Sequence, residues 1–220
     1  MGVKAQCLPF REIPHTTPLF ADYLRYDPKV RPFYPHSPLL GEWAETQAAN
    51  LHFDPTRREQ IAAVLEHQNR QWGASAATLD SLARLRAGAC VIVTGQQVGL
   101  FGGPLFALLK ALSAVRLAAQ VTATGHDCVP IFWLATEDHD LAEVQHTSIP
   151  GAKFELQPIS VSPDHVPGAP VGSIRFGQEI EAAVNQVAGL LGDNEIVSAL
   201  RESYRPGETF GSAFARLMTR

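Results

Sequence analysis

The chain has 220 residues, of which 45% are hydrophobic and 18% charged, with a formal net charge of −4. That length allows one or at most two domains with a substantial core, and the acidic balance gives no support to a general nucleic-acid binder. No apolar run reads as reaching membrane-spanning length, and residues 1–10 lack the apolar centre of a signal peptide, so the expectation is a soluble, cytoplasmic protein.

Residues 1–55 read as an irregular, proline- and aromatic-rich arm. Pro9, Pro14, Pro18, Pro28, Pro32, Pro35 and Pro38 restrict helix to short pieces, near 19–25 and 39–51. Phe20, Tyr23, Phe33 and Tyr34 are expected to pack the arm on the core, with His15 and His36 hydrogen-bonded inside it rather than holding metal. Asp54-Pro55 then reads as an N-cap followed by a first-position proline, opening a helix with Ile61, Val64, Leu65, Gln68 and Trp72 on one face. A second helix over 76–86 ends at Gly88.

The organising stretch is 89–144. Two apolar runs rich in β-branched and aromatic residues, 90–94 and 129–135, bracket one long amphipathic segment, which is the pattern of a βαβ unit. Neither run alternates, so both strands are expected to be buried on two faces of a parallel sheet. Gly95, Gly99, Gly102 and Gly103 free the backbone for positive φ, and Pro104 suits the first helical position. Leu105, Leu108, Leu109, Leu112 and Val115 recur at helical spacing and are expected to pack on the sheet. Cys90 and Cys128 open the two runs, where packing is their expected role; with Cys7 they match no zinc spacing.

Two motifs converge on one rim of that sheet. The loop beyond the first strand ends on a helix N-terminus, where anions are favoured. The second strand delivers Thr136, Glu137, Asp138, His139 and Asp140 to the same edge, with Glu143 one turn later. Each has a plainer alternative. The loop is neither a P-loop nor a clean dinucleotide fingerprint, and a ligand-free strand-to-helix turn explains its glycines as well. The acidic run also reads as a solvated loop that caps the next helix, with Asp138 or Asp140 at the N-cap. Lys110 is a solvated side chain or one that leans back towards the loop.

Beyond 144 the texture changes. Prolines and glycines through 149–175 interrupt short strand candidates at 154–156, 159–161 and 171–176, as in an insertion hung from the core. A helix over 178–191 follows, with Ile180, Val184, Val187 and Leu191 on one face, and another over Glu195–Ser203. Phe210, Phe214, Leu217 and Met218 open a last amphipathic helix that stops at Arg220 without a cap, which reads as truncation and as a stripe facing a partner outside the chain.

The string VTGQQVGLFGGP at 93–104, Lys110 after it and FWLATEDHD at 132–140 together resemble the bacillithiol biosynthesis cysteine-adding family, and weaker similarity extends over the rest of the chain. The resemblance implies an α/β fold: a Rossmann-like parallel-sheet core related to class I aminoacyl-tRNA synthetases, with connecting insertions. It divides the chain into an arm (1–55), the first part of the core (56–148), a connecting-peptide-like insertion (149–205) and a helix returning to the core (206–220). It further implies a ligase that adds L-cysteine to the amino group of glucosaminyl malate, with ATP as suspected cosubstrate, no metal beyond magnesium carried with ATP, and a homodimer built through a coiled coil in a longer chain. Thr94, Gly95, Gln96, Gln97, Gly99, Gly102, Gly103 and Lys110 would bind substrate or nucleotide; Glu137, Asp138, His139 and Asp140 would be catalytic. The βαβ residues alone fit a non-catalytic nucleotide- or sugar-phosphate-binding module equally well, and the acidic run leaves a metal-dependent hydrolase as a weaker reading.

Overall fold

The computed structural model describes residues 7–34, 36–38, 43–151, 153 and 155–219. Two compact units divide between His52 and Phe53. In the first, Thr17 caps α1 (Pro18–Leu24) by accepting from the Phe20 N–H at 3.3 Å, and Pro18 takes the first turn, where its missing donor costs nothing. The expected helix over 39–51 is present as α2 (Trp43–Asn50), its first residues lying outside the described ones. Phe10 meets Phe20 edge-on and Tyr23 lies on Tyr34, so the arm's aromatics pair with one another.

The second unit opens as the caps predict. Asp54 accepts from the Arg57 N–H at 2.8 Å and starts α3 (Pro55–Gln71); Ser75 starts α4 (Ala76–Ala87), which Gly88 ends at φ 121°. The packed side of α3 differs from the expected one. Ala62 is fully buried and Leu65 partly so, while Ile61 and Val64 are exposed. The small residue lets the helix approach α4, and Arg58 reaches across to the carbonyls of Leu85 and Ala89, both at 2.9 Å.

Strand β1 (Cys90–Gln97) runs parallel to β2 (Cys128–Ala135), with Cys90 opposite Cys128 and Gln97 opposite Ala135, and α5 (Leu105–Ala123) crosses between them. The βαβ unit is therefore as read, with β1 three residues longer than the apolar run. Two expectations are corrected. The residues of α5 that face the sheet are Ala107, Ala114, Ala118 and Val121, whereas Leu105, Leu108, Leu109, Leu112 and Val115 are 49–73% exposed. Leu105 and Ala114 are nine residues apart, about two and a half turns, so they lie on opposite sides. Both sides are apolar, and leucine spacing alone does not say which one is against the strands. The strands are not closed on two faces either, since Val93 and Trp133 are more than half exposed. With Lys110 and Arg116 as its charges, α5 is, contrary to expectation, long and apolar enough by length and composition to cross a membrane, though here it is the crossover between two parallel strands.

After β2 come a single turn, α6 (Leu141–Val144), and a hairpin of β3 (His146–Pro150) with β4 (Leu156–Ser160). The sequence reading missed β3, which alternates exposed and half-buried positions, and divided β4 at Pro158, a residue tolerated because a two-stranded hairpin is all edge. The expected strand over 171–176 is instead a 3-10 turn (Val171–Ser173) and one bridge, Arg175 to Thr209, because Pro170 and Gly172 break an extended run. Helices α7 (Glu179–Leu191) and α8 (Glu195–Ser203) follow as read, α7 burying Ile180, Ala183, Val184 and Val187.

The last helix, α9 (Phe210–Met218), overturns the expectation of an unpartnered stripe. Phe210 and Phe214 are fully buried, Phe210 on Phe176 with ring centroids 4.3 Å apart and Phe214 stacked on Phe132 at 6.3 Å. One core runs from Val98 and Leu100 through Ile159, Val171, Ile180 and Val187 to these two rings. The segment after β2 is thus built into the same core as the βαβ edge.

Candidate functional site

The carboxyl ends of β1 and β2 carry the two motifs to one rim. Gly95 lies in β1 because only a hydrogen fits there: a Cβ would sit 2.7 Å from the Trp133 carbonyl oxygen of the paired strand. Beyond the strand, Val98 and Leu100 are fully buried and anchor the loop from below. Phe101, Gly102 and Gly103 then take φ values of 54°, 95° and 69° in succession. At Gly99 an added Cβ would meet the Gly103 Cα at 2.7 Å. Pro104 is the N-cap of α5 rather than its first residue, and it offers no side-chain cap, so the first amides of a 19-residue helix are left to other partners.

A chain of polar contacts joins the loop side to the acidic side. Lys110 Nζ donates to Gln96 Oε1 at 2.8 Å and to the Gly95 carbonyl at 3.3 Å, and lies back over the ring of Phe106, 5.1 Å from its centroid. Gln96 Nε2 donates to Gln97 Oε1 at 2.5 Å. Gln97 Nε2 in turn donates to Asp138 Oδ2 at 3.3 Å and to Glu143 Oε2 at 3.2 Å. Thr94 Oγ1 donates to the Lys110 carbonyl at 3.4 Å. Residues 93–97, with Lys110, Trp133 and Ala135, line an open recess of about 520 Å³.

The acidic turn divides its labour. Asp138 Oδ1 accepts from the Asp140 N–H at 3.1 Å, and this bond, with the Gln97 amide, the His139 N–H and the nearby imidazole, outweighs partial desolvation and holds the carboxyl below the usual carboxylate range. Asp140 caps α6 by accepting from the Glu143 N–H at 3.1 Å, so the plainer reading of the run is realised at this residue. His139 is exposed, its Nδ1 3.9 Å from Asp138 Oδ1, beyond hydrogen-bond reach. Glu137 is separated from the Gln97 cluster and lines a different feature, a groove of about 1200 Å³ along β2 bounded by Leu65, Trp72, Ile131, Trp133 and Ser212.

Sequence reasoning missed two contributors. Glu143 was seen beside the run but not as the second carboxylate on Gln97. Tyr204, from beyond the insertion, sends its hydroxyl to the glycine loop; a separation of more than a hundred residues leaves no local signal. Thr136 is packed so closely by Gly172 that a Cβ there would lie 2.4 Å from its Cβ, fixing the start of the acidic turn.

The family description that matches residues 3–220 is "Bacillithiol biosynthesis BshC, N-terminal Rossmann-like domain". Among curated relatives, a Koribacter versatilis protein is 48% identical over 97% of this chain and a Solibacter usitatus protein 37% identical over 97%. A Chlorobaculum tepidum protein is 37% identical over 74% of the chain. All three bear the name "Putative cysteine ligase BshC". The chain spans 40% of the length of the first two and 30% of the third. With a match over nearly its whole length and a parallel βαβ unit at its centre, the chain belongs to the BshC family of bacillithiol biosynthesis, as its N-terminal Rossmann-like domain.

Proposed function

We propose that the chain forms the nucleotide- and substrate-binding edge of a cysteine ligase that joins L-cysteine to the amino group of glucosaminyl malate. The observation that supports this is the continuous polar chain from Lys110 through Gln96 and Gln97 to Asp138 and Glu143, which ties α5 and the end of β1 to the acidic turn. Family membership and the relatives' names supply the reaction class. Kinship with class I aminoacyl-tRNA synthetases would account for acyl activation by ATP on such an edge.

In this reading the open start of α5 receives an anionic group, with Lys110 as its positive neighbour, while the loop through Gly99, Gly102 and Gly103, whose own N–H groups are spent on the Gln97, Gly99 and Leu100 carbonyls, lets the group come close. Asp138, ionised at neutral pH, accepts hydrogen bonds from an amine or hydroxyl of the second substrate. His139, free in solvent, exchanges the proton that an amine must lose before it attacks an acyl carbon. ATP supplies the activation, and magnesium would arrive with its phosphates; among the described residues no cluster of three or more His, Cys, Asp or Glu side chains is arranged to hold a metal ion. The whole enzyme would work as a homodimer, with its remaining length supplying further site residues.

Mass spectrometry of cysteine transfer to glucosaminyl malate by the intact-length protein, with and without ATP, tests the reading. Asp138→Asn and His139→Gln should each lower turnover by about 10²–10⁴-fold with little change in melting temperature. Retained turnover with a collapsed melting temperature would assign the acidic turn to capping alone.

A further inference from the structure

We propose that Tyr204 is a positioning residue that holds the glycine loop in its ligand-ready shape from behind, through the far end of the segment that follows β2. The proposal rests on the reading of that loop as the binding edge.

Tyr204 is the C-cap of α8 and is 2% exposed. Its hydroxyl is placed between two backbone groups of the loop, accepting from the Gly102 N–H at 3.2 Å and donating to the Gly99 carbonyl at 3.4 Å. Those are the two ends of the turn that Gly102 closes on Gly99 with its own 3.2 Å bond. The ring supports the same turn, edge-on to Phe101 with centroids 4.9 Å apart, and is itself backed by Phe176 at 5.7 Å.

What the tyrosine supports is costly backbone. Phe101 sits in the left-handed region at φ 54°, ψ 33°, where a bulky residue is rarely found, and two further positive-φ residues follow it. Such a run persists only where the surroundings over-determine it, and strained backbone of this kind concentrates at ligand sites. A phenol that bonds both ends of the turn and packs on its strained residue is such a determinant. Burial also keeps that hydroxyl protonated across the neutral range, so it can donate and accept at once.

The assignment separates loop shape from general packing. Ser203, the preceding residue, is equally buried and its hydroxyl has no hydrogen-bond partner, so it supplies a control at the same helix end. The test compares Tyr204→Phe and Ser203→Ala in the 220-residue chain by amide hydrogen exchange at Gly102 and by titration with ATP, followed at the 99–103 amides. Tyr204→Phe should speed Gly102 exchange and weaken ATP binding, each by about two- to tenfold, the range that one net hydrogen bond gives; Ser203→Ala should do neither. Unchanged exchange in Tyr204→Phe overturns the proposal. So does an equal effect of Ser203→Ala, or outright unfolding of Tyr204→Phe, since either would make Tyr204 an ordinary core residue. If ATP leaves the loop amides of the parent chain unmoved, the reading of the loop as a nucleotide site fails, while Gly102 exchange still decides whether Tyr204 shapes the loop.

Discussion

Gly103 combines φ 69° with ψ −154°, a region essentially closed to residues with a side chain. Gly103→Ala should therefore cost about 1–3 kcal/mol in chemical denaturation, and an unchanged midpoint would mean that the loop adopts another path at no expense. Glu208 makes a second prediction at this scale. Burial pushes its carboxyl up, but the Ser212 hydroxyl at 2.7 Å, with Arg216 and Arg205, pulls it below the ordinary value. A depressed carboxylate contributes stability that is fully present above the unfolded-state pKa and is lost as pH falls through the folded one. Thermal melts should thus show an acid-side loss of stability below about pH 4.5 that is smaller in Glu208→Gln; identical acid limbs would remove Glu208 from the account. Residues with a local signature were legible beforehand: Asp54 beside Pro55, the glycines before Pro104, the acids straight after an apolar run. Gln97 as the link to Asp138 and Glu143 was not, because its meaning depends on two strands being in register, and nothing in a single segment states that.

Helix α5 shows what periodicity can and cannot decide about an element. Its existence, length and place between the strands follow from one apolar segment behind a glycine loop. Its orientation does not, since alanines on one side and leucines on the other are both apolar, and close helix-to-strand approach selects the smaller side chains. Ala114→Leu should overpack that contact and cost about 1–3 kcal/mol, whereas Leu108→Ser, on the exposed side, should fall within about 0.5 kcal/mol of the parent by urea denaturation. The reverse order would restore the leucine face to the sheet. Helix α9 teaches the complementary lesson. Its amphipathic pattern was visible, and Thr209 and Ser212 complete a capping box. A stripe facing a partner outside the chain and a stripe buried in the chain's own core nevertheless have the same spacing.

At the scale of the whole molecule, the exposed apolar surface lies elsewhere than the last helix suggested. Leu105, Leu108, Leu109 and Leu112 on α5 are each about half exposed or more, as are Val93 and Trp133 on the strands. A helix apolar on all sides belongs between two layers, and the described residues place the two-stranded sheet on one side of it. The relatives that share this chain's sequence are longer by more than half of their own length, so material for a second layer exists in them. An uncovered stripe of this size favours association, and a second copy is the only partner a purified sample offers. The 220-residue chain by itself should therefore sediment as a dimer or larger species. Leu108→Gln with Leu112→Gln should shift it towards monomer without unfolding it, because neither side chain contributes to the buried core. The same preparation should transfer no cysteine to glucosaminyl malate, since the rim alone lacks whatever the remaining length contributes. Sedimentation velocity and the transfer assay read the two outcomes separately. A monodisperse parent chain would mean that the leucine face needs no cover, and full activity would mean that the rim formed by β1, β2 and the glycine loop is a complete site.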